Sequence, residues 1–393
     1  MSTSTGHELD PRDPVDLDAS LTDEEREIRD TVRRFVAERV LPDIGERYEQ
    51  ATFDSSIATE LGSMGVLGMH LDGYGCPGMS ATSYGVVCAE LEYGDSGVRS
   101  FASVQGSLAM KAIHAFGSED QKHQWLPPMA AGEKIGCFGL TEPDAGSNPA
   151  QMRTTARRDG DDWVLDGTKM WITNGCLSDV AVVWARTDDG IRGFLVDTAT
   201  EGFESRPMTH KLSLRASVTS ELHLDGCRVP DSARLPEAAG LRAPLACLAE
   251  ARFGIIWGTT GAARACYEAA LDYATTREQF GKPIAGFQLT QRKLVEMAVD
   301  LGRAQLLALH LGRRKDERGL AAEEVSIGKL ANGRTAIEIA RTARGVLGAS
   351  GISLEYPVIR HMTNLESVIT YEGTEEIHTL AIGRALTGEN AIT

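Results

Sequence analysis

A change of periodicity in the middle of the chain is its strongest constraint on folding. Between about 133 and 235, short runs rich in Val, Trp, Thr and Phe are punctuated by Asp-Gly pairs at 159–160, 166–167, 189–190 and 225–226. Asp-Gly is a tight-turn signal, because glycine accepts positive φ and the Asp side chain bonds the turn backbone. The runs Trp163–Leu165, Val180–Trp184, Gly193–Val196 and Glu221–Leu224 are therefore candidate strands of a small antiparallel β domain or barrel.

Both flanks carry helical spacing instead. Thr22 and Glu25 form a capping-box pattern, Ile28, Val32, Phe35, Val36 and Val40 share a helical face, and Pro42 marks the stop. Residues 55–68 and 80–94 also read as helical, with Gly73, Gly75 and Gly78 in the loop between them. After the β zone, Ala-rich amphipathic stretches cover about 244–275, 284–316, 320–346 and 366–387. An α–β–α order implies helices flanking a β module, an α+β fold and not a doubly wound sheet. The expected divisions are a mobile tail at 1–18, an N-terminal helical domain at 19–132, a middle β domain at 133–238 and a C-terminal helical unit at 239–393.

Composition narrows the function classes. A chain of 393 residues exceeds one layer pair, and 42% hydrophobic with 24% charged residues is ordinary for a globular protein. The first twenty residues are acidic (Asp10, Asp13, Asp16, Asp18), unlike a secretory signal or transit peptide, so the expected compartment is the cytoplasm. Seven cysteines form no CxxC pair and nine histidines no HExxH, which fits reduced thiols and gives no metal motif. A net charge of −16 disfavours nucleic acid and anionic membranes while leaving room for a local basic pocket.

Taken one at a time, the segments that could carry chemistry are modest. There is no GxGxxG after a strand, no Walker A motif and no GxSxG elbow. The glycine runs 62–68 and 345–351 follow helical patterns and read as helix C-caps. Residues 137–147, Cys-Phe-Gly-Leu-Thr-Glu-Pro-Asp-Ala-Gly-Ser, pass from apolar residues into a turn rich in hydroxyls and backbone donors. Such a turn can contact a polar ring or phosphate, but an ordinary strand-to-turn junction explains it equally well. Trp171 beside Thr173 could stack on and bond a flat ring, or be plain core. Arg277 closes a helical stretch, and Arg99-Ser100 precedes the apolar run 101–104; each reads alone as a surface cation. Glu372 lies between helical patterns, where desolvation could make it a base, although a solvated loop carboxylate is the commoner case.

The joint order of these segments is far more specific. From about 20 to 390 the chain resembles the acyl-CoA dehydrogenase family, through Phe-Gly-Leu-Thr-Glu-Pro-x-x-Gly-Ser at 138–147, Trp-Ile-Thr-Asn at 171–174, Arg-x-Gln-Phe-Gly at 277–281 and Tyr-Glu-Gly-Thr at 371–374. Within the family it is most similar to members acting on glutaryl-CoA, on the stretches 92–100, 211–217, 251–254 and 370–374 with Ile377-His378. The resemblance implies a C-terminal four-helix bundle, a homotetramer, and FAD between the β domain and the bundle. It places the isoalloxazine ring against Phe138, Gly139, Leu140, Thr141, Gly146, Ser147, Trp171, Ile172 and Thr173. Arg277, Phe280 and Gln288 would reach FAD from a neighbouring subunit. The turn Gly345, Val346, Leu347, Gly348 and Ala349 would meet the adenylate side, with Thr374, Glu375 and Glu376 completing the site.

In chemical terms, the resemblance makes Glu372 the base that removes the α-proton of an acyl-CoA thioester, with Ser147, Arg252, Tyr371 and Gly373 bordering the substrate. Arg99 would pair with the distal carboxylate of glutaryl-CoA, Ser100 add a hydrogen bond and Glu92 hold Arg99 in place. The implied products are crotonyl-CoA and CO₂, the implied electron acceptor an electron-transferring flavoprotein, and the implied setting lysine or tryptophan degradation. A dehydrogenase of another short or branched acyl-CoA without decarboxylation is the alternative. Two positions depart from the family pattern: Asn148 stands where Asp is common, and Ala349-Ser350 where Gly-Asn is usual.

Overall fold

The computed structural model describes residues 9–391. In the N-terminal unit the capping box forms as expected: Glu25 N–H donates to Thr22 Oγ1 at 3.3 Å and Thr22 N–H to Glu25 Oε2 at 2.9 Å. Helix α1 (Asp23–Phe35) widens into a π turn at Val36–Val40, and the chain turns at Pro42. There follow α2 (Ile44–Gln50), α3 (Ile57–Ser63), a small hairpin of β1 (Asp72–Gly73) and β2 (Cys76–Pro77), and α4 (Ala81–Gly94). The expected helix at 55–68 is shorter because Gly65 and Gly68 both take positive φ. Helix α5 (Ser96–Ser103) continues through a π turn at Val104–Met110 into α6 (Lys111–Phe116), and α7 (Glu119–Ala130) leads to the sheet.

Asp95 separates α4 from α5. Its backbone is extended, which ends α4, and its carboxylate accepts from Gly97 N–H at 2.6 Å, which caps α5.

The middle unit is a seven-stranded sheet: β3 (Gly136–Gly139), β4 (Thr155–Asp159), β5 (Asp162–Thr173), β6 (Val180–Thr187), β7 (Gly190–Asp197), β8 (Phe203–Pro207) and β9 (Thr219–Pro230). The order is β3-β6-β4-β5-β9-β8, with β7 also on β6. The sheet is mixed and not wholly antiparallel, since β3 runs parallel to β6 and β4 meets β6 through a parallel bridge at Thr155 and Arg186. Direct hairpins enforce antiparallel pairing, but β3 reaches β6 only after the β4–β5 hairpin, which frees its direction. Two Asp-Gly pairs, at 159–160 and 189–190, are the turns of hairpins. The other two face each other across a bulge in the β5–β9 ladder, where Gly226 N–H donates to Asp166 Oδ1 at 2.8 Å.

The C-terminal unit contains α8 (Arg242–Thr276), a short hairpin of β10 (Glu278–Gln279) and β11 (Lys282–Pro283), α9 (Gln288–Arg318), α10 (Ala322–Leu347), α11 (Pro357–Val368) and α12 (Glu375–Thr387). Helix α8 packs against α10, α9 and α4, and so joins the two helical units. The expected continuous helix at 366–387 is broken at 369–374, because Glu372 and Gly373 have φ of 53° and 97° and Thr374 caps a new helix. The described part of the expected tail is docked and not free. Arg12 pairs with Asp272, Tyr267 Oη donates to Pro11 O, and Val15 lies against Gly302. Residues 1–8 fall outside the described residues. No described helix is long and apolar enough to cross a membrane.

Candidate active site

The break between α11 and α12 holds Glu372 in a left-handed backbone conformation, unusual for a residue with a side chain. Its three adjacent carbonyls are all bound by cations. Lys329 Nζ donates to Tyr371 O at 2.6 Å and Gly373 O at 2.7 Å, and Arg252 Nε donates to Glu372 O at 2.7 Å. Glu372 Oε2 is shielded from solvent and has no hydrogen-bond partner among the described residues. Burial raises the Glu372 carboxyl above its ordinary value, while Arg99, Lys329 and Arg252 pull it back.

Opposite this loop, α5 presents Arg99 and Ser100 from a fully buried helix. Arg99 Nε donates to Glu92 Oε2 at 2.7 Å, and Ser96 Oγ donates to Glu92 Oε1 at 2.8 Å. The second terminal nitrogen of Arg99 donates to Tyr371 Oη. Among the described residues Arg99 Nη1 has no hydrogen-bond partner although it is buried, and the buried Ser100 Oγ lies near the Tyr371 hydroxyl without a well-formed bond to it. The surface-cation reading of Arg99 is thus overturned: the guanidinium is out of solvent and bonded to Tyr371, the residue before Glu372. Helix α5 is fixed from outside as well, since Asp95 also accepts from Arg360 Nη1 at 2.5 Å and from Asn364 Nδ2 at 2.9 Å on α11.

A second group of predicted residues meets at the end of β3 and β5. Met170 N–H donates to Thr141 O at 2.9 Å, which brings 138–141 beside 171–173. Phe138 is buried against Trp184, and Ile172 is in the core. Trp171 takes φ 64° and leaves its large ring 56% exposed. The loop carrying Gly146 and Ser147 is anchored by Glu142, which accepts from Arg153 N–H at 2.5 Å, Thr154 N–H at 3.0 Å and Lys169 Nζ at 2.7 Å. Lys169 is buried, which lowers its ammonium to about 8 despite Glu142.

Of the other predicted residues, Arg277, Phe280 and Gln288 and the 345–349 turn lie elsewhere in the C-terminal unit, while Thr374, Glu375 and Glu376 directly follow the Glu372 loop. Arg277 ends α8, 25 residues beyond Arg252, or about 37 Å along a helix. Phe280 is 94% exposed, and Gln288 starts α9. Gly345, Val346, Leu347, Gly348 and Ala349 form the end of α10 and the turn after it, where added Cβ atoms on both glycines would meet open space. Thr374 caps α12, Glu375 pairs with Arg334, and Glu376 is exposed. Sequence reasoning missed Lys329, Gly258 and the Glu142–Lys169 pair. An added Cβ at Gly258 would fall 2.0 Å from Glu92 Oε2, so glycine lets α8 pass the Arg99–Glu92 pair.

A fold of two helical units around a mixed sheet, with a shielded carboxylate on an inter-helix loop, is matched by family profiles along almost the whole chain. The acyl-CoA dehydrogenase N-terminal domain matches residues 22–133, the middle domain 137–227 and the C-terminal domain 238–387. The chain belongs to the acyl-CoA dehydrogenase family. A crystal structure of glutaryl-CoA dehydrogenase from Mycobacterium smegmatis is 65% identical, covering 98% of this chain and 100% of that one, with a TM-score of 0.97. Another from the same organism, in complex with FADH2, is 60% identical over 98% of this chain and 99% of that one, with a TM-score of 0.96. The mitochondrial short-chain specific acyl-CoA dehydrogenase of Homo sapiens is 35% identical over 359 residues, 90% of this chain and 87% of that protein. The expected α+β architecture and the family resemblance are borne out.

Proposed function

We propose that this chain is an FAD-dependent dehydrogenase that oxidises glutaryl-CoA and decarboxylates the product to crotonyl-CoA. The carrying observation is Arg99, a fully buried guanidinium with one nitrogen unpartnered among the described residues, next to the buried Ser100 hydroxyl. Leaving such donors unsatisfied is costly, and a substrate carboxylate would accept from both. A straight apolar acyl chain would leave them as they are.

The residues present fit FAD. Trp171, in a left-handed backbone conformation near the end of β5, is solvent-exposed beside the 138–141 segment, which the Glu142–Lys169 pair ties to the same strand. Gly146 and Ser147 are exposed nearby, and the buried Phe138, Gly139, Leu140 and Ile172 back that segment from the core. When bound, FAD supplies the hydride acceptor for the substrate β-carbon and passes electrons on to an electron-transferring flavoprotein.

Everything else falls to the chain. Burial makes Glu372 a stronger base than a free carboxylate, suited to the α-proton of a thioester. The Glu372 N–H is the donor assigned to the thioester oxygen, where negative charge develops. Arg99 and Ser100 fix the far end of the substrate, which aligns the α-carbon with Glu372. Once the α,β double bond exists, the distal carboxylate is vinylogous to a β-keto acid. The Cγ–carboxylate bond breaks, CO₂ leaves, and its electron pair delocalises into the thioester as a dienolate. Protonated Glu372 returns its proton to the γ-carbon.

A homo-oligomer accompanies this reading. Helix α9 exposes Val295, Val299 and Leu306 on one face and Leu289 at its start, and Phe280 is exposed in the hairpin before it. A second copy covering that stripe would bring Arg277, Phe280 and Gln288 to its neighbour's flavin, with the 345–349 turn and Thr374, Glu375 and Glu376 at the adenylate side. Free cysteines throughout the described residues support a reducing, cytoplasmic setting.

Anaerobic mixing with glutaryl-CoA, butyryl-CoA and isovaleryl-CoA tests the proposal. Rapid flavin bleaching with CO₂ release is expected for glutaryl-CoA alone, and slow bleaching without CO₂ for the monocarboxylic substrates. Preference for butyryl-CoA without CO₂ would replace it with a non-decarboxylating dehydrogenase.

A further inference from the structure

Lys329 is a buried side chain whose ammonium burial pulls down to about 7, with no carboxylate at ion-pair distance among the described residues. Its ammonium is directed instead at two backbone carbonyls, those of Tyr371 and Gly373. The ring of Tyr371 lies 5.8 Å from Nζ, and His378, with its Nδ1 at Ser326 Oγ, packs at the same loop. A buried ammonium normally loses stability unless paired, so the position calls for a function.

The two carbonyls are not equivalent. The Tyr371 C=O and the Glu372 N–H belong to one planar amide. Its oxygen is held by the Lys329 ammonium, while its N–H has no acceptor among the described residues. A cation on an amide oxygen draws electron density from the nitrogen and strengthens its N–H as a donor, an effect enlarged where water is excluded. The bond to Gly373 O and the Arg252 bond to Glu372 O hold the same amide in orientation, so that N–H is pre-aimed.

We propose that Lys329 is a positioning residue that polarises the Tyr371–Glu372 amide, so that its free N–H stabilises the oxyanion forming on the thioester oxygen as the α-proton leaves. The inference rests on Glu372 as the base and its N–H as the thioester donor. Lys329 itself exchanges no proton and forms no covalent bond. Removing a complete oxyanion donor costs about 10²–10³ in rate; weakening one should cost about tenfold to a hundredfold.

The decisive measurement is the infrared stretch of the thioester carbonyl in a bound ligand. The probe is a glutaryl-CoA analogue with sulfur in place of the β-methylene and ¹³C at the thioester carbonyl, added to the FAD-loaded enzyme. In the unmodified enzyme the stretch moves to lower frequency on binding. Lys329→Met should keep full flavin and lose most of that shift, with kcat falling about tenfold to a hundredfold and KM little changed. Lys329→Gln, which can donate but bears no charge, should give an intermediate shift. A wild-type shift in either variant overturns the proposal, whatever the turnover. Loss of flavin from both would assign Lys329 to building the loop and overturns it too. Glu372→Gln separates the premise: normal flavin reduction there removes Glu372 as base, whereas a silent Glu372→Gln with Lys329-independent carbonyl shifts removes only the role of Lys329.

Discussion

Arg99 donates through Nε to Glu92 Oε2 at 2.7 Å, seven residues back, with both side chains wholly withdrawn from solvent. The pair spans the junction of α4 and α5, where Asp95 turns the chain. Glu92 holds the side of the guanidinium away from Tyr371 and leaves Nη1 free. A buried ion pair of this kind contributes little net stability, because desolvation offsets attraction. What it supplies is a charged fork in a fixed orientation.

Glu92→Gln should therefore damage both stability and substrate recognition. Removing one partner strands a buried charge, a loss of about 3–5 kcal/mol. Urea unfolding should show the loss, and KM for glutaryl-CoA should rise. Unchanged unfolding would mean Arg99 finds another partner in the folded state.

Arg99→Ala should separate the substrates. Activity toward glutaryl-CoA should fall by at least about a hundredfold, as expected when a buried charge-assisted pair is lost. Flavin content should stay full, and butyryl-CoA oxidation should persist or rise. Equal loss on both substrates would take Arg99 out of the carboxylate role.

These predictions rest on contacts that were unevenly legible in the sequence. The Thr22–Glu25 capping box was readable because it closes within four residues. The Asp-Gly pairs at 159–160 and 189–190 were readable as hairpin turns for the same reason. The pairs at 166–167 and 225–226 were not, because a bulge depends on which strand lies opposite. The direction of β3 depends on connections made after it. Likewise the burial of Arg99 comes from α4, α8 and Tyr371, the last 272 residues away. No local pattern records that. Gly258 and Lys329 sit inside long helices, where glycine and lysine carry no motif and gain meaning only from what the helix passes.

The pH dependence of the reductive step follows from Glu372. The base must be ionised, and burial raises its carboxyl despite Arg99, Lys329 and Arg252. The acid limb of kcat/KM should therefore lie above the ordinary Glu range, with activity rising as pH rises through it. Arg252→Met removes a cation facing Glu372 and should move the limb to higher pH. Stopped-flow flavin reduction across pH 5–9 measures both, and a limb at the position of an exposed Glu would contradict the burial argument.

Glu90 provides a prediction about stability alone. It is buried, which pushes its carboxyl up, but Arg264 and Arg33 outweigh burial and hold it at about 2. Both bond it directly, Arg264 at 2.7 and 2.9 Å and Arg33 at 2.9 and 3.2 Å. A depressed folded value contributes stability above the unfolded carboxyl value, and that contribution is lost as pH falls from about 4.5 toward 2. The pair of values corresponds to about 3 kcal/mol between those limits. Glu90→Gln should lower stability at pH 7, where the largely buried Arg264 and the exposed Arg33 lose their anion, and should flatten the acid side of the stability curve. Urea midpoints at pH 7, 4.5 and 3.5 test this. A mutant curve parallel to wild type would mean that other carboxylates govern acid unfolding.

The exposed row on α9 yields the last expectation. Val295, Val299 and Leu306 recur at helical spacing on one face, with Leu289 at the start of the helix, and each is at least 45% exposed. A row of large apolar side chains on one helix face marks an interface more often than free surface. Val299→Asp would bury a charge in that interface while leaving the isolated chain's core untouched. Sedimentation should then show a smaller species. If Arg277, Phe280 and Gln288 act on the neighbour's flavin, that species should also bind FAD more weakly, although no residue at Trp171 or Thr173 has changed. A smaller species with full FAD affinity would place those three residues outside the flavin site and leave the stripe with an assembly role alone.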